Sequence, residues 1–76
     1  MKLLLVEWMD SMAMGGWRER VEKPDTSHCV TVGIVTYEDE DKIRLSSSYD
    51  CATEHIAESI TIPKCSIVKT MRVKVK

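Results

Sequence analysis

The chain has 76 residues, and 11 lysine and arginine residues against 12 aspartate and glutamate residues give it a net charge of −1. This length predicts one domain, residues 1–76, with a thin core and little room for a large internal cavity. The charge balance excludes the global basic field on which non-specific nucleic-acid binding depends. We therefore expect a ligand site on a face, at an edge or between copies of the chain.

The first predicted element is a strand at residues 3–9. Leu4, Val6 and Trp8 fall on one face of an extended chain, and the residues between them fall on the other. Acidic Glu7 interrupts the apolar run well before it reaches the length of a signal peptide or a membrane span. We expect a strand of a soluble, cytoplasmic protein without membrane contact.

The segment from residue 10 to residue 28 is rich in turn signals. Asp10-Ser11 and Gly15-Gly16 favour a tight turn, and Pro24-Asp25 ends the stretch that follows it. Residues 17–23 fit either a helical turn or more strand. Their conformation stays open at this point.

The densest β pattern lies in the middle of the chain. Residues 29–38 are rich in β-branched side chains, and Gly33 within them predicts a bend or bulge of the kind that closes small barrels. The acidic residues 38–41 form a hairpin turn, and residues 42–47 alternate polar and apolar side chains as a partner strand. These two strands are predicted to pair.

The last third predicts a polar loop at residues 49–58, a strand at 59–63, a tight corner at 64–66 and a final strand at 67–75. Period-2 alternation places Met71 and Val73 inward and Arg72 outward. Five strands result. The first and last strands are predicted to be the edges through which copies of the chain join as a homo-oligomer.

This arrangement resembles the Sm-like and SH3-like small barrels. Gly33 in the second strand, the acidic hairpin, and Ile43 with Leu45 in the third strand occupy the places that the Sm pattern gives to such residues. Residues 62–67, Ile-Pro-Lys-Cys-Ser-Ile, resemble the second Sm-like segment. The resemblance implies a mostly β, five-stranded barrel with one short helical or irregular segment. RNA binding does not follow from it, because the RNA-contacting residues are not clearly present.

A spaced signature is also similar to a group of small phage and prophage proteins. It reads Val-Glu-Trp-Met-Asp-Ser at residues 6–11, Gly-Trp at 16–17, Val-Thr-Val-Gly at 30–33, Glu-Asp-Glu-Asp at 38–41 and Ile-Pro-Lys at 62–64. The likeness spans nearly the whole chain and implies a phage origin. Phages use small oligomeric barrels to capture nucleotide signals of bacterial immunity, and the analogy suggests such a role here.

Two tryptophans, two hydrogen-bonding side chains and two arginines surround the Gly-Gly turn. Aromatic rings stack on bases, hydroxyl and carboxylate groups bind ribose hydroxyls, and arginine binds phosphate. The predicted ligand-binding residues are Trp8, Asp10, Ser11, Trp17, Arg18 and Arg20. The alternative interpretation is structural, because a domain without Phe needs tryptophan in its core and Asp-Ser often binds its own backbone.

A second set of basic residues lies near the end of the sequence: Lys64, Lys69, Arg72, Lys74 and Lys76. These side chains suit either a phosphate-binding rim or the usual charged protection of an edge strand. Both interpretations remain open from the sequence.

The sequence contains no pattern typical of a metal site or of a catalytic site. His28 and His55 lie far apart without ligand spacing, and the three cysteines contain no CxxC pair. The odd cysteine count points to a reducing compartment. No recognisable nucleophile motif is present. We expect no metal, no cofactor and no enzymatic activity.

These observations lead to one functional hypothesis and two alternatives. The hypothesis is a phage-type homo-oligomer that binds a small phosphate-bearing, nucleotide-type ligand at a site between subunits. The alternatives are an Sm-like RNA- or DNA-binding protein, which the charge disfavours, and an adaptor for a host or virion protein.

Overall fold

The computed structural model describes residues 1–11, 17, 20 and 26–74. Its elements are β1 (Leu3–Ser11), β2 (Thr26–Glu38), β3 (Lys42–Tyr49), β4 (Ile56–Pro63), a 3₁₀ turn (Lys64–Ser66) and β5 (Ile67–Arg72). The prediction of a mostly β chain with five strands is confirmed. In the described part, no helix is long and apolar enough to cross a membrane.

The five strands form one antiparallel sheet in the order β4-β3-β2-β1-β5. The prediction that β1 is an edge strand is wrong, because β1 pairs with β2 on one side and with β5 on the other. β5 is an edge, as predicted, and β4 is the other. Within the described residues β4 and β5 are not paired, so the sheet is open, and closure into a barrel stays a prediction.

The core lies on one face of the sheet. Burial alternates along β1, which confirms the predicted face. The buried apolar side chains are Leu4, Val6, Trp8, Ile43, Leu45 and Ile62. They come from β1, β3 and β4 and form one cluster, although β2 separates β1 from β3. A flat sheet cannot bring non-adjacent strands together on one face, so the sheet must curl around its core.

Gly33 lies close to β3, next to the first residue pair of the β2–β3 ladder, Ile34↔Ser46. A Cβ atom at this position would lie 3.0 Å from the Cβ of Leu45 and 3.2 Å from the carbonyl oxygen of Ser46. The β2–β3 register shifts between Val35 and Tyr37, a bulge close to the predicted bend. Glycine therefore permits a close approach of two backbones at this point.

The predicted orientation of β5 is wrong. Met71 pairs with Leu5, on the face opposite the core, and is 51% exposed, while Arg72 pairs with buried Leu4. The register shifts between Glu7 and Trp8, so β5 carries one extra residue, Val68, at that point. An extra residue reverses the in-out alternation of everything beyond it, which the period-2 pattern does not reveal.

Candidate ligand-binding site

The structure describes five of the six predicted ligand-binding residues, and one of these five, Trp8, lies in the core. Trp8 is a core residue, 8% exposed, and its indole N–H donates to the Thr31 hydroxyl at 3.0 Å. Trp17 is fully exposed. Asp10 is half-buried, and Ser11 and Arg20 are exposed, while Arg18 lies outside the described residues.

Trp8 therefore fits the structural interpretation of the tryptophans. A ligand role for the other members of that segment stays a prediction.

The basic residues of the last strand divide into two groups. Lys64 binds Glu38, with 2.8 Å between Nζ and Oε2. Lys69, Arg72 and Lys74 have no ion-pair partner among the described residues, and Lys76 lies outside them. The role of these charges as a phosphate rim stays a prediction.

An open cleft of about 540 Å³ lies between β2, β3 and the β3–β4 turn, and we call it the Arg44 cleft. It is lined by Thr36, Arg44, Tyr49, Glu54, His55 and Ile56. The sequence-based reasoning did not single out any of these residues as ligand-binding. Arg44 is the fixed cation of the site.

Neutral groups hold Arg44 in place. Its Nε–H donates to the Thr36 hydroxyl at 3.0 Å, and Nη2 donates to the Thr36 carbonyl oxygen at 3.2 Å. The guanidinium carbon lies 6.0 Å from the centroid of the Tyr37 ring, at the outer limit of a cation–π contact. No carboxylate pairs with Arg44 in the described part of the chain. Within the described residues, the positive charge and the Nη1 hydrogens of Arg44 therefore have no protein partner.

A chain of hydroxyl groups supports this arrangement. The hydroxyls of Thr36 and Ser46 lie 2.8 Å apart, and those of Ser46 and Ser59 lie 2.9 Å apart. Ser46 is 1% exposed, so its two hydrogen bonds replace water. The chain links β2, β3 and β4 and fixes the Thr36 oxygen that accepts from Arg44.

The β3–β4 turn positions the other side of the cleft. The prediction of a loop over residues 49–58 is too long, because Tyr49 still pairs with Ile56. The Asp50 carboxylate accepts from the backbone N–H of Ala52 at 2.9 Å and of Thr53 at 3.3 Å. These bonds lower the pKa of Asp50.

The last residues of the turn bring polar side chains to the cleft. Glu54 takes a positive φ of 61°, and the His55 carbonyl oxygen accepts from the Asp50 backbone N–H at 2.8 Å. His55 contributes ring nitrogens, and half-buried Tyr49 contributes an aromatic ring and a hydroxyl. Arginine, imidazole and phenol together suit a phosphate with an attached ring. Glu54 works against a highly charged anion.

A second cleft, of about 330 Å³, lies beside the 3₁₀ turn, and we call it the corner cleft. Its floor contains the core residues Leu4 and Ile43 together with Ile67, and its rim contains Lys2, Glu38, Lys64 and Thr70. Glu38 lies between the two lysines, 2.8 Å from Lys64 and 3.6 Å from Lys2. The Lys64 ammonium, chiefly through its hydrogen bond, lowers the pKa of Glu38. Both cations of this cleft are already paired.

The acidic hairpin binds its own backbone. The Asp39 carboxylate accepts from the N–H groups of Asp41 at 2.8 Å and Lys42 at 2.9 Å, and also from the Tyr37 hydroxyl at 2.9 Å. These bonds, the one from Asp41 first, hold the pKa of Asp39 well below its ordinary range.

Among the described residues, no three His, Cys, Asp or Glu side chains come close enough to hold a metal ion.

Fold and site together describe a curled, five-stranded antiparallel β protein with a cationic surface cleft. No protein-family model, no curated protein and no solved structure matches this chain. The functional proposal therefore depends on the geometry of the cleft.

Proposed function

We propose that this chain is a non-enzymatic, phage-type binding protein that takes a small phosphate-bearing, nucleotide-type ligand in the Arg44 cleft. Sequestration of a nucleotide signal of bacterial immunity is the biological role that fits this chemistry and the phage-like signature. The observation that carries the proposal is Arg44 itself. A half-buried guanidinium is held by a hydroxyl and a carbonyl rather than by a carboxylate.

The physical reason lies in the cost of partly burying a charge. A cation that gives up water normally gains an acidic partner, and the described residues supply none to Arg44. A phosphate supplies that partner through charge-assisted, bidentate hydrogen bonds. Tyr49 offers a flat ring for a base or ribose, and His55 offers a further donor to the phosphate.

The test is calorimetry of wild type, Arg44→Gln and Arg72→Gln against inorganic phosphate, a mononucleotide, cyclic dinucleotides and ADP-ribose-type nucleotides. We expect Arg44→Gln to weaken nucleotide binding roughly ten- to a hundredfold, or about 1.4–2.8 kcal/mol, which is the range expected for a lost hydrogen bond to a charged group. Arg72→Gln removes the same charge from an exposed position on β5, outside the Arg44 cleft. If the ligand binds in the Arg44 cleft, this variant should keep the wild-type affinity, whereas a loss of affinity would favour the basic residues of β5 as the phosphate site. Circular dichroism confirms that each variant is folded.

Two results would overturn this assignment. If none of the phosphate compounds binds wild type, the chain does not bind such ligands and the adaptor alternative takes its place. If Trp17→Ala with Arg20→Gln abolishes binding and Arg44→Gln does not, the site lies in the segment that the sequence predicted and not in the Arg44 cleft.

A further inference from the structure

The sheet leaves one long stretch of β2 unpaired on one side. β1 pairs with β2 from Ser11↔Thr26 to Leu3↔Ile34, but β3 pairs with β2 only from Ile34 onward. Residues 27–32 therefore have a strand neighbour on the β1 side alone, within the described part of the chain. We call this stretch the β2 edge.

The β2 edge lacks the features that protect the other two edges. β4 contains Glu58, with a positive φ of 49°, and ends at Pro63, while β5 has only six residues and contains Lys69 and Arg72. Charged side chains, proline, local irregularity and short length all prevent edge-to-edge pairing. The β2 edge reads Ser-His-Cys-Val-Thr-Val, with no Lys, Arg, Asp, Glu or Pro.

Exposed apolar side chains accompany this edge. Val30 is 59% exposed and Val32 is 54% exposed, and both point away from the core because they pair with Glu7 and Leu5. Met71, 51% exposed, lies across Leu5 from Val32. The outer face of an antiparallel sheet is normally polar. Here the outer face carries exposed apolar side chains beside the unprotected β2 edge.

We propose that the β2 edge pairs antiparallel with the β2 edge of a second copy of this chain, across a two-fold axis, to form one continuous ten-stranded sheet. The absence of charge favours a copy over a different partner strand. At an isologous interface each residue lies near its own counterpart, so a lysine or glutamate there would repel itself. Residues 27–32 avoid this conflict.

The size of the core gives a second reason. Six apolar side chains are buried in the described residues, which is a small core for 76 residues. Pairing would satisfy backbone groups along the β2 edge and would bring the valines of the two copies together on one face. The proposal goes beyond the ligand-binding function and does not depend on it, because no residue of the β2 edge lines the Arg44 cleft.

The first test is light scattering of wild type, Val30→Lys, Val32→Lys and the matched control Val68→Lys. We expect wild type at twice the 8.7 kDa mass of the chain. Val30→Lys and Val32→Lys should shift the dimer dissociation constant at least tenfold towards the monomer. Val68 is 61% exposed on the β5 edge, so Val68→Lys should leave the dimer intact. Thermal unfolding confirms that the variants are folded.

Hydrogen exchange locates the contact independently of any substitution. Amides within residues 27–32 should gain protection as wild type is concentrated from the monomeric to the dimeric range, and those of β4 should not. A wild-type monomer at every concentration overturns the proposal. An assembly that Val68→Lys dissociates and Val30→Lys does not would place the interface on β5 instead. Nucleotide calorimetry on Val30→Lys tests ligand binding separately from dimer formation, so a failure of one proposal can be told from a failure of the other.

Discussion

The Arg44 cleft and the corner cleft both present cations at the surface, but they hold them differently. In the corner cleft a half-exposed carboxylate, Glu38, binds two lysines. In the Arg44 cleft a partly buried framework of neutral hydroxyl groups and backbone holds one arginine, and the described residues give its charge no acidic partner. The corner cleft is stabilised by exposed ion pairs, so removing one of them should cost little free energy of unfolding. The Arg44 side depends on close packing, so a change there should cost more.

The largest expected effect comes from Gly33→Ala, which tests the packing beneath the Arg44 side. The new Cβ would meet the Cβ of Leu45 at 3.0 Å and the backbone oxygen of Ser46 at 3.2 Å. None of these atoms is the end of a flexible side chain, so β3 must shift by a few tenths of an ångström to make room. We expect a loss of about 1–3 kcal/mol in the free energy of unfolding, measured by urea denaturation. A variant as stable as wild type would show that β3 can move away from Gly33 at little cost.

Ser46→Ala removes the central hydroxyl of the framework. Thr36 and Ser59 each lose a hydrogen-bond partner, and we expect a loss of about 1–2 kcal/mol in unfolding free energy. Ser48→Ala, at an exposed position of the same strand, is the matched control and should change little. Equal effects of the two substitutions would contradict a special role for the hydroxyl chain.

Much of the fold follows from sequence patterns, and particular residues show where they stop. The alternation of Leu4, Val6 and Trp8 predicts their common burial, because β1 is regular over that stretch. The orientation of Met71 is not predictable in this way, since the register shift that reverses β5 depends on its pairing with β1. The local sequence pattern determines where the strands lie, and the strand pairing determines which face of the sheet each side chain occupies.

The candidate site was missed for a related reason. In sequence, Arg44 is an ordinary polar residue of an alternating strand, and Thr36, Tyr49 and His55 belong to three separate elements. They line one cleft only because the strands pair and the turn is tight. A signal existed in the serine-rich run 46–48, which is unusual in a strand with buried positions, but its meaning depends on partners in β2 and β4.

The smallest expected effect, and the sharpest test of the comparison, comes from Glu38→Gln in the corner cleft. The side chain of Glu38 is 37% exposed, so losing its ion pairs should cost less than about 1 kcal/mol of unfolding free energy at neutral pH. The folded-state pKa of Glu38 lies below its ordinary value of 4.5. Its contribution is therefore present above pH 4.5 and is lost as the pH falls through the folded-state pKa. The stability difference between wild type and Glu38→Gln should shrink over that range.

Glu38→Gln should also convert the corner cleft into the kind of site that we assign to Arg44. With the carboxylate neutralised, Lys2 and Lys64 lose their shared partner, and inorganic phosphate should raise the melting temperature of this variant more than that of wild type. Glu40→Gln makes the same charge change at an exposed hairpin position without an ion pair in the described residues, and it separates a local effect from the change in net charge. If phosphate stabilises Glu38→Gln and Glu40→Gln equally, an unpaired cation beside an apolar floor is not sufficient for anion binding. The unpaired charge of Arg44 would then need the hydroxyl framework and the β3–β4 turn to form a site.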